Sequence, residues 1–213
     1  MSSNSHRIAT REQWDVARSA LLQEEKQLQR LRDALSEKRR ALPWVPVTEP
    51  YCFETPEGTR SLSALFGAHS QLIVYHLMFA PDWAAACKSC SFWAENFDRH
   101  LIHLAHRDVR LVAISRAPLS KLQAYAARMG WQFPWVSSGE SRFNRDFAVS
   151  FSEAERESRE RLYNYGTLAP MQTDMPGFSV FAKDAGGAVF HTYSTYARGI
   201  EPMNAGYAFL DLV

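Results

Sequence analysis

The chain has 213 residues, 46% of them hydrophobic and 22% charged, enough to bury one full-sized core with an appendage. Its 24 basic and 23 acidic residues leave a formal net charge of +1 spread along the sequence, so no broad field argues for nucleic acid or an anionic membrane as a partner. The opening stretch MSSNSHRIATREQWD has no apolar core and no small-residue cleavage site, and nothing later reaches the ~18 consecutive apolar residues of a membrane span, so a cytoplasmic location is expected.

From Thr10 to Leu42 the chain is rich in Glu, Gln, Lys, Arg, Leu and Ala and free of Gly and Pro, which predicts one long helix capped by Thr10. Trp14, Leu21, Leu28, Leu35 and Leu42 recur at a spacing of seven, with Ala17 or Leu31 alternating with Glu24 or Lys38 between them. That is half a coiled-coil seam. It either lies on its own domain or, as its apolar surface favours, pairs with a second copy in a homodimer. Residues 1–43 are thus an N-terminal helical arm, Pro-rich residues 44–50 a stiff linker, and 51–213 the main domain.

The main domain opens with an extended piece containing Cys52, read as a small core residue, then a turn at Pro56–Gly58 and a short helix over 61–66. QLIVYHLMF (71–79) is apolar with little alternation, which suits a strand buried on both faces. One helix is expected from about Cys87, with Phe92, Trp93, Phe97, Leu101 and Leu104 on a single stripe. VRLVAIS (109–115) is a second buried strand, and Pro118 and Gly130 bracket another helix. This strand–helix–strand–helix order implies parallel central strands. Further on, Ser152 and Glu155 form a capping-box pattern, and GFSVFAKDAGGAVFHTYSTY is a hairpin that adds an antiparallel edge.

Cys87 and Cys90 sit two residues apart where the first buried strand gives way to a helix. A redox couple, a metal site and a pair of inert core residues are the three readings. Zinc needs about four ligands, and there is no second Cys-x-x-Cys; His100, His103 and His106 lie too far along the same helix to fold back onto its start. No metal is therefore expected. A dithiol placed after a buried strand and at a helix start is the specific context of a redox motif. There the unpaired N–H groups, the helix dipole and Lys88 all favour a thiolate at Cys87, and Cys90, one turn inward, is placed to resolve a mixed disulfide. His76 and His191 are candidate proton acceptors near the dithiol, with a core role the more ordinary one, and Trp131, Trp135, Tyr193 and Tyr196 could wall a substrate or simply fill the core.

The strings MFAPDWAAACKSCSFWAENFD, LVAISRAPLSKLQAYAARMGWQFPWVSS, FNRDFAVSF and VFHTYSTYARGIEPMNAGYAFLDL are similar, in order, to the bacterial thioredoxin-like family catalogued as domain of unknown function 899. The resemblance implies an α/β fold, a thioredoxin-like mixed sheet flanked by helices, with the cysteine pair at its usual place. More distantly the core resembles thioredoxins and peroxiredoxins. FETPEGTRSLSALFG looks like the opening hairpin and short helix of peroxiredoxins, and Trp83 stands where an aromatic residue precedes the thioredoxin cysteines. Pro176 in MPGFSVF takes the place of the proline that faces the dithiol in cis and frees the preceding backbone to pair with a substrate strand, unless it is a simple turn proline; Pro134 is a weaker rival. The chain also departs from these relatives. Ala84 and Ala80 stand where peroxiredoxins carry a hydroxyl and a proline, no arginine is assignable to polarise a peroxide, and Lys88-Ser89 replaces the Gly-Pro of thioredoxin.

The expected function is a thiol–disulfide oxidoreductase without a prosthetic group, acting on a thiol or disulfide of a protein or small molecule, with Cys87 as nucleophile, Cys90 as resolving thiol, and Trp83 and Pro176 contacting substrate. The alternatives are a thiol peroxidase and a dimeric, redox-responsive binding module without turnover.

Overall fold

The structure, a computed structural model, describes residues 7–139 and 141–213. The described residues divide into two compact units, one up to Pro43 and one from Trp44 to Val213. The first is helix α1, Arg11–Arg40. Thr10 accepts the amide of Gln13 while the Gln13 side chain accepts the amide of Thr10, a closed capping box, and Lys38, Arg39 and Arg40 place positive charge at the negative end of the helix dipole. None of its residues is buried; the seam residues Trp14, Leu21, Leu28 and Leu35 keep about half their surface.

The second unit is built on one mixed sheet. Its strands are β1 Val45–Pro46, β2 Cys52–Thr55, β3 Gly58–Ser61, β4 Gln71–His76, β5 Val109–Ser115, β6 Trp135–Ser137, β7 Gly177–Lys183 and β8 Val189–Tyr196, in the order β1-β8-β7-β4-β5-β6-β2-β3. The pairs β4–β5 and β5–β6 are parallel and the rest antiparallel. Antiparallel strands thus extend the parallel centre on both sides, where the sequence suggested one. Part of the Pro-rich stretch read as a linker is itself a strand: β1 pairs with β8, and the Val47 amide bonds to the Val189 carbonyl at 2.9 Å.

The helices of this unit are α2 Lys88–Ala94, α3 Phe97–Ala105, α4 Leu119–Met129, α5 Phe143–Asp146, α6 Glu153–Ser158 and α7 Ala205–Leu210. The single helix expected after Cys87 is therefore two. At Asn96 the ladder tightens, its amide reaching only the Trp93 carbonyl three residues back at 3.5 Å, and Phe92 ends up 38% exposed, off the buried stripe. α4 runs between Pro118 and Gly130, the latter left-handed at φ 73°, a conformation that glycine adopts without strain.

Alternation along β4 divides the core. Tyr75 joins Trp93, Phe97, Leu122 and Tyr125 on the face covered by α2, α3 and α4, whereas Leu72 and Val74 join Phe53, Phe66, Phe143 and Phe181 on the other. A third, smaller cluster of Val149, Phe151, Tyr163, Met175 and Tyr196 lies under the long connection between α5 and β7. In β2 the same alternation turns Phe53 and Thr55 inward and leaves Cys52 exposed, so Cys52 is not the core residue that its apolar neighbours suggest.

Candidate functional site

β4 delivers the chain to the cysteines. The Cys87 amide bonds the Met78 carbonyl at 3.0 Å, tying the helix start to the end of the strand. Cys87 is the N-cap of α2: its carbonyl accepts the Ser91 amide at 2.9 Å and the Ser91 hydroxyl at 3.0 Å, and that hydroxyl is paired with the Tyr125 hydroxyl at 3.0 Å. Both thiols are free, Cys87 half-buried and Cys90 2% exposed.

Their acidities are split. The Cys87 thiol is lowered to about 6, chiefly because the Cys90 thiol donates a hydrogen bond to its sulfur; burial opposes this, and the amides of Cys90 and Ser89 and the Ser89 hydroxyl reinforce it. Cys90 is pushed well up by giving that hydrogen bond and by burial. Hydrogen bonds from the helix start thus dominate over the Lys88 charge. The pair titrates as a unit, the first proton leaving Cys87 and the second held at Cys90.

The sulfurs open onto a cavity of about 640 Å³. Tyr75 lines it from β4, Met78 from the segment after that strand and Trp93 from α2, with residues between Tyr163 and Pro176 from the long connection and between Ala197 and Glu201 from the turn after β8. Pro176 lines the same cavity as the two cysteines. Its peptide is nonetheless trans, as are all peptides of the described residues. The amide before it is already paired: the Met175 amide bonds the Val149 carbonyl at 2.9 Å, the Phe151 amide bonds the Thr173 carbonyl at 2.8 Å, and the Tyr163 hydroxyl donates to the Pro176 carbonyl.

Trp83 does not line the cavity. It packs against the first core cluster, and Lys121 holds its loop by donating to the carbonyls of Pro81 at 2.7 Å and Trp83 at 3.1 Å. Trp131 and Trp135 fill the same cluster and Tyr196 the third, so none of these walls the dithiol. The sequence placed Trp93 on a core-facing helix stripe and did not single out Tyr75, Tyr163 or Met175, although the run YNYGTLAPMQTDMP, aromatic and methionine-rich without a period, is a signal of a packed loop rather than a linker.

His100, His103 and His106 are exposed, and the described residues contain no group of three His, Cys, Asp or Glu side chains able to hold a metal ion. His76 and His191 lie across the sheet from the cysteines. His76 Nε2 pairs with Ser179 Oγ at 2.8 Å, Ser179 with Ser194 at 2.8 Å and Ser194 with His191 Nε2 at 2.7 Å, a buried polar chain among Phe143, Phe147 and Phe181. Neither histidine reaches a thiol.

Burial lowers His76 from 6.5 to about 3, with His191 adding to the effect. An unfolded chain takes up this proton near 6.5, so the contribution of the neutral ring is present above that pH and is lost as pH falls toward 3. Between pH 7 and 4.5 the wild type is expected to lose on the order of 2 kcal/mol more stability than His76→Gln, read from urea unfolding. Parallel pH curves would show that His76 is protonated in place.

A family model described as "Bacterial protein of unknown function (DUF899)" matches residues 3–213. No curated protein matches the chain. Among solved structures, a mutant of peroxiredoxin Q from Xanthomonas campestris is similar at 16% identity with a TM-score of 0.53, over 82% of this chain and 98% of that one. A structure from the same organism described by the alkyl peroxide reduction activity of its bacterioferritin comigratory protein is similar at 15% identity with a TM-score of 0.54, over 80% and 98% of the two chains. These likenesses establish a thioredoxin-like fold. Among the described residues no helix is long and apolar enough to cross a membrane. With the family model spanning nearly its whole length, the chain belongs to the bacterial family DUF899.

Proposed function

We propose that the protein is a thiol–disulfide oxidoreductase in which Cys87 attacks and Cys90 resolves. The observation that carries this reading is the division of labour within one contact: a half-buried thiol lowered to about 6, hydrogen-bonded by a buried thiol that keeps its proton. Cys87 thiolate attacks one sulfur of a disulfide and expels a thiolate, which takes up a proton. Cys90 then loses its proton and attacks Cys87 Sγ, expelling the second thiol. The protein dithiol is oxidised by two electrons and the substrate disulfide is reduced to two thiols. No prosthetic group enters these steps.

The second reading is a thiol peroxidase, favoured by the peroxiredoxin fold and by the alkyl peroxide reduction named for one of the similar structures. Against it, the one guanidinium lining the cavity is Arg198, whose Nε and Nη2 already bind both carboxylate oxygens of Glu201 at 2.8 and 3.2 Å, and Ala84 supplies no hydroxyl. Among the lining residues that leaves no unpaired guanidinium, and no hydroxyl three residues before Cys87, to polarise an O–O bond.

The test is mass spectrometry of the protein equilibrated across a glutathione redox series. A reversible loss of two hydrogens is expected, absent from Cys87→Ser and Cys90→Ser, with a potential within the cytosolic range of about −220 to −320 mV. Thiols that stay reduced throughout would remove the redox mechanism.

A further inference from the structure

We infer that the substrate is a small uncharged organic disulfide with an apolar body, taken into the cavity beside Cys87, and not an extended protein strand. The inference rests on the dithiol reading above and specifies what that dithiol acts upon. Three independent features carry it.

The first is the closure of the strand-docking route. In an exchange site that reads protein substrates, the chain beside the nucleophile offers unpaired backbone to an incoming strand. Here the amide of Met175 is bound by Val149, Pro176 has none, and its carbonyl accepts from Tyr163. Residues 149–151 already occupy the place of the added strand, with Ser150 bridged to Asp174.

The second is size. About 640 Å³ lies in the ~300–1,000 Å³ range of cavities that enclose most of a small organic molecule, far more than a bare S–S bond or a peroxide needs. The third is the chemistry of the walls. Trp93, Leu168, Met171, Met175 and Ile200 give an almost wholly apolar lining, with Leu168 45% and Met171 75% exposed toward solvent. The methionine side chains can adjust to ligands of different shape. Arg198 and Glu201, the charged side chains at the cavity, neutralise each other. The Tyr163 hydroxyl is spent on the Pro176 carbonyl and the Ala197 amide, leaving its ring to face the space. A substrate with carboxylates, such as glutathione disulfide, would lose hydration against the apolar walls and find as cation among the lining residues only Arg198, already paired with Glu201 at the solvent edge.

The reaction is the balanced exchange above: one S–S bond of the organic disulfide breaks, one forms between Cys87 and Cys90, and two organic thiols leave with the protons. The experiment is single-turnover oxidation of the fully reduced chain by dimethyl, diethyl and dipropyl disulfide, by glutathione disulfide and by insulin, read by quenched-flow mass spectrometry. Each rate is divided by that of free dithiothreitol with the same oxidant to remove intrinsic reactivity. The normalised rate is expected to climb by up to about fourfold for each methylene buried, at least about tenfold from dimethyl to dipropyl disulfide, with glutathione disulfide and insulin slower than dipropyl disulfide. Leu168→Glu, at a side chain half in solvent, sets a charge on the wall and is expected to cut the dipropyl-to-dimethyl ratio to about threefold or less. A flat alkyl series, an unchanged ratio in Leu168→Glu, or insulin reacting as fast as dipropyl disulfide overturns the inference while leaving the dithiol mechanism standing. No oxidation by any of the five overturns both.

Discussion

Replacing Cys87 by serine is expected to lower the rate of disulfide reduction by about a thousandfold or more, because a hydroxyl near neutral pH offers almost no anion for attack. The informative companion is Cys90→Ala. It leaves the first attack possible and traps the mixed disulfide on Cys87, detectable as an added half-substrate mass. It also removes the first of the causes that lower the Cys87 thiol to about 6. In the wild type, alkylation of Cys87 should rise with pH through about 6 and level off above neutrality, since the thiolate fraction grows as pH passes the folded value. In Cys90→Ala that midpoint is expected to move up toward the ordinary thiol value of about 8.5. A full shift would cut the thiolate fraction at pH 7 by about thirtyfold, partly offset by the greater nucleophilicity of a more basic sulfur. Cys90→Ser retains an O–H donor and is expected to fall between. An unmoved midpoint in Cys90→Ala would mean that the backbone amides of α2 alone set the acidity of Cys87.

Asp174→Ala is expected to destabilise the second unit by about 1–3 kcal/mol, the cost of leaving Arg116, a quarter exposed, and the Ser150 hydroxyl without their buried partner. Asp174 is 3% exposed and binds Arg116 Nε at 2.6 Å and Ser150 Oγ at 3.1 Å. Burial nevertheless pushes its carboxyl above 3.8, overcoming the pull of Arg116 and Ser150. The desolvation cost thus exceeds the attraction, so the pair is expensive to break without being a large net stabiliser. The double change Arg116→Met with Asp174→Leu should then cost less than Asp174→Ala, as measured by urea unfolding. A single-variant loss below about 1 kcal/mol would place the pair in effectively solvated surroundings. The sign with pH is opposite to that of His76. A carboxyl raised in the fold binds its proton before the unfolded chain does, so acid relieves Asp174 while it strains His76. Because Asp174 bridges to Ser150 immediately before Met175 and Pro176, its loss should also loosen the cavity wall.

Some features of this protein are written in short windows. The capping boxes at Thr10 and Ser152, the stop at Gly130, the hairpin of β7 and β8, and a cysteine pair at a strand-to-helix junction each depend on residues within a few positions of one another. Their hydrogen bonds close locally whatever the remainder of the chain does. The redox geometry at Cys87 belongs to this group, since the groups that set its acidity are Ser89 and Cys90.

Other features depend on which distant segments become neighbours. Cys52 looks like a core residue among apolar neighbours until the pairing of β2 with β3 and β6 turns it outward. His76 and His191 sit in strands that could carry them toward the dithiol, and the pleat sends both to the opposite face. Trp83 stands next to the motif in the chain but packs against the first core cluster, its carbonyl held by a lysine 38 residues away. Pro176 lines the cavity of the dithiol, and the pairing of residues 149–151 with 173–175 takes up the Met175 amide that precedes it. Local capping and periodicity are short-range interactions and are legible in a single sequence; the cavity, its apolar walls and the partly buried Arg116–Asp174 pair arise from long-range contacts between segments with no period of their own, and only the folded chain brings those segments together.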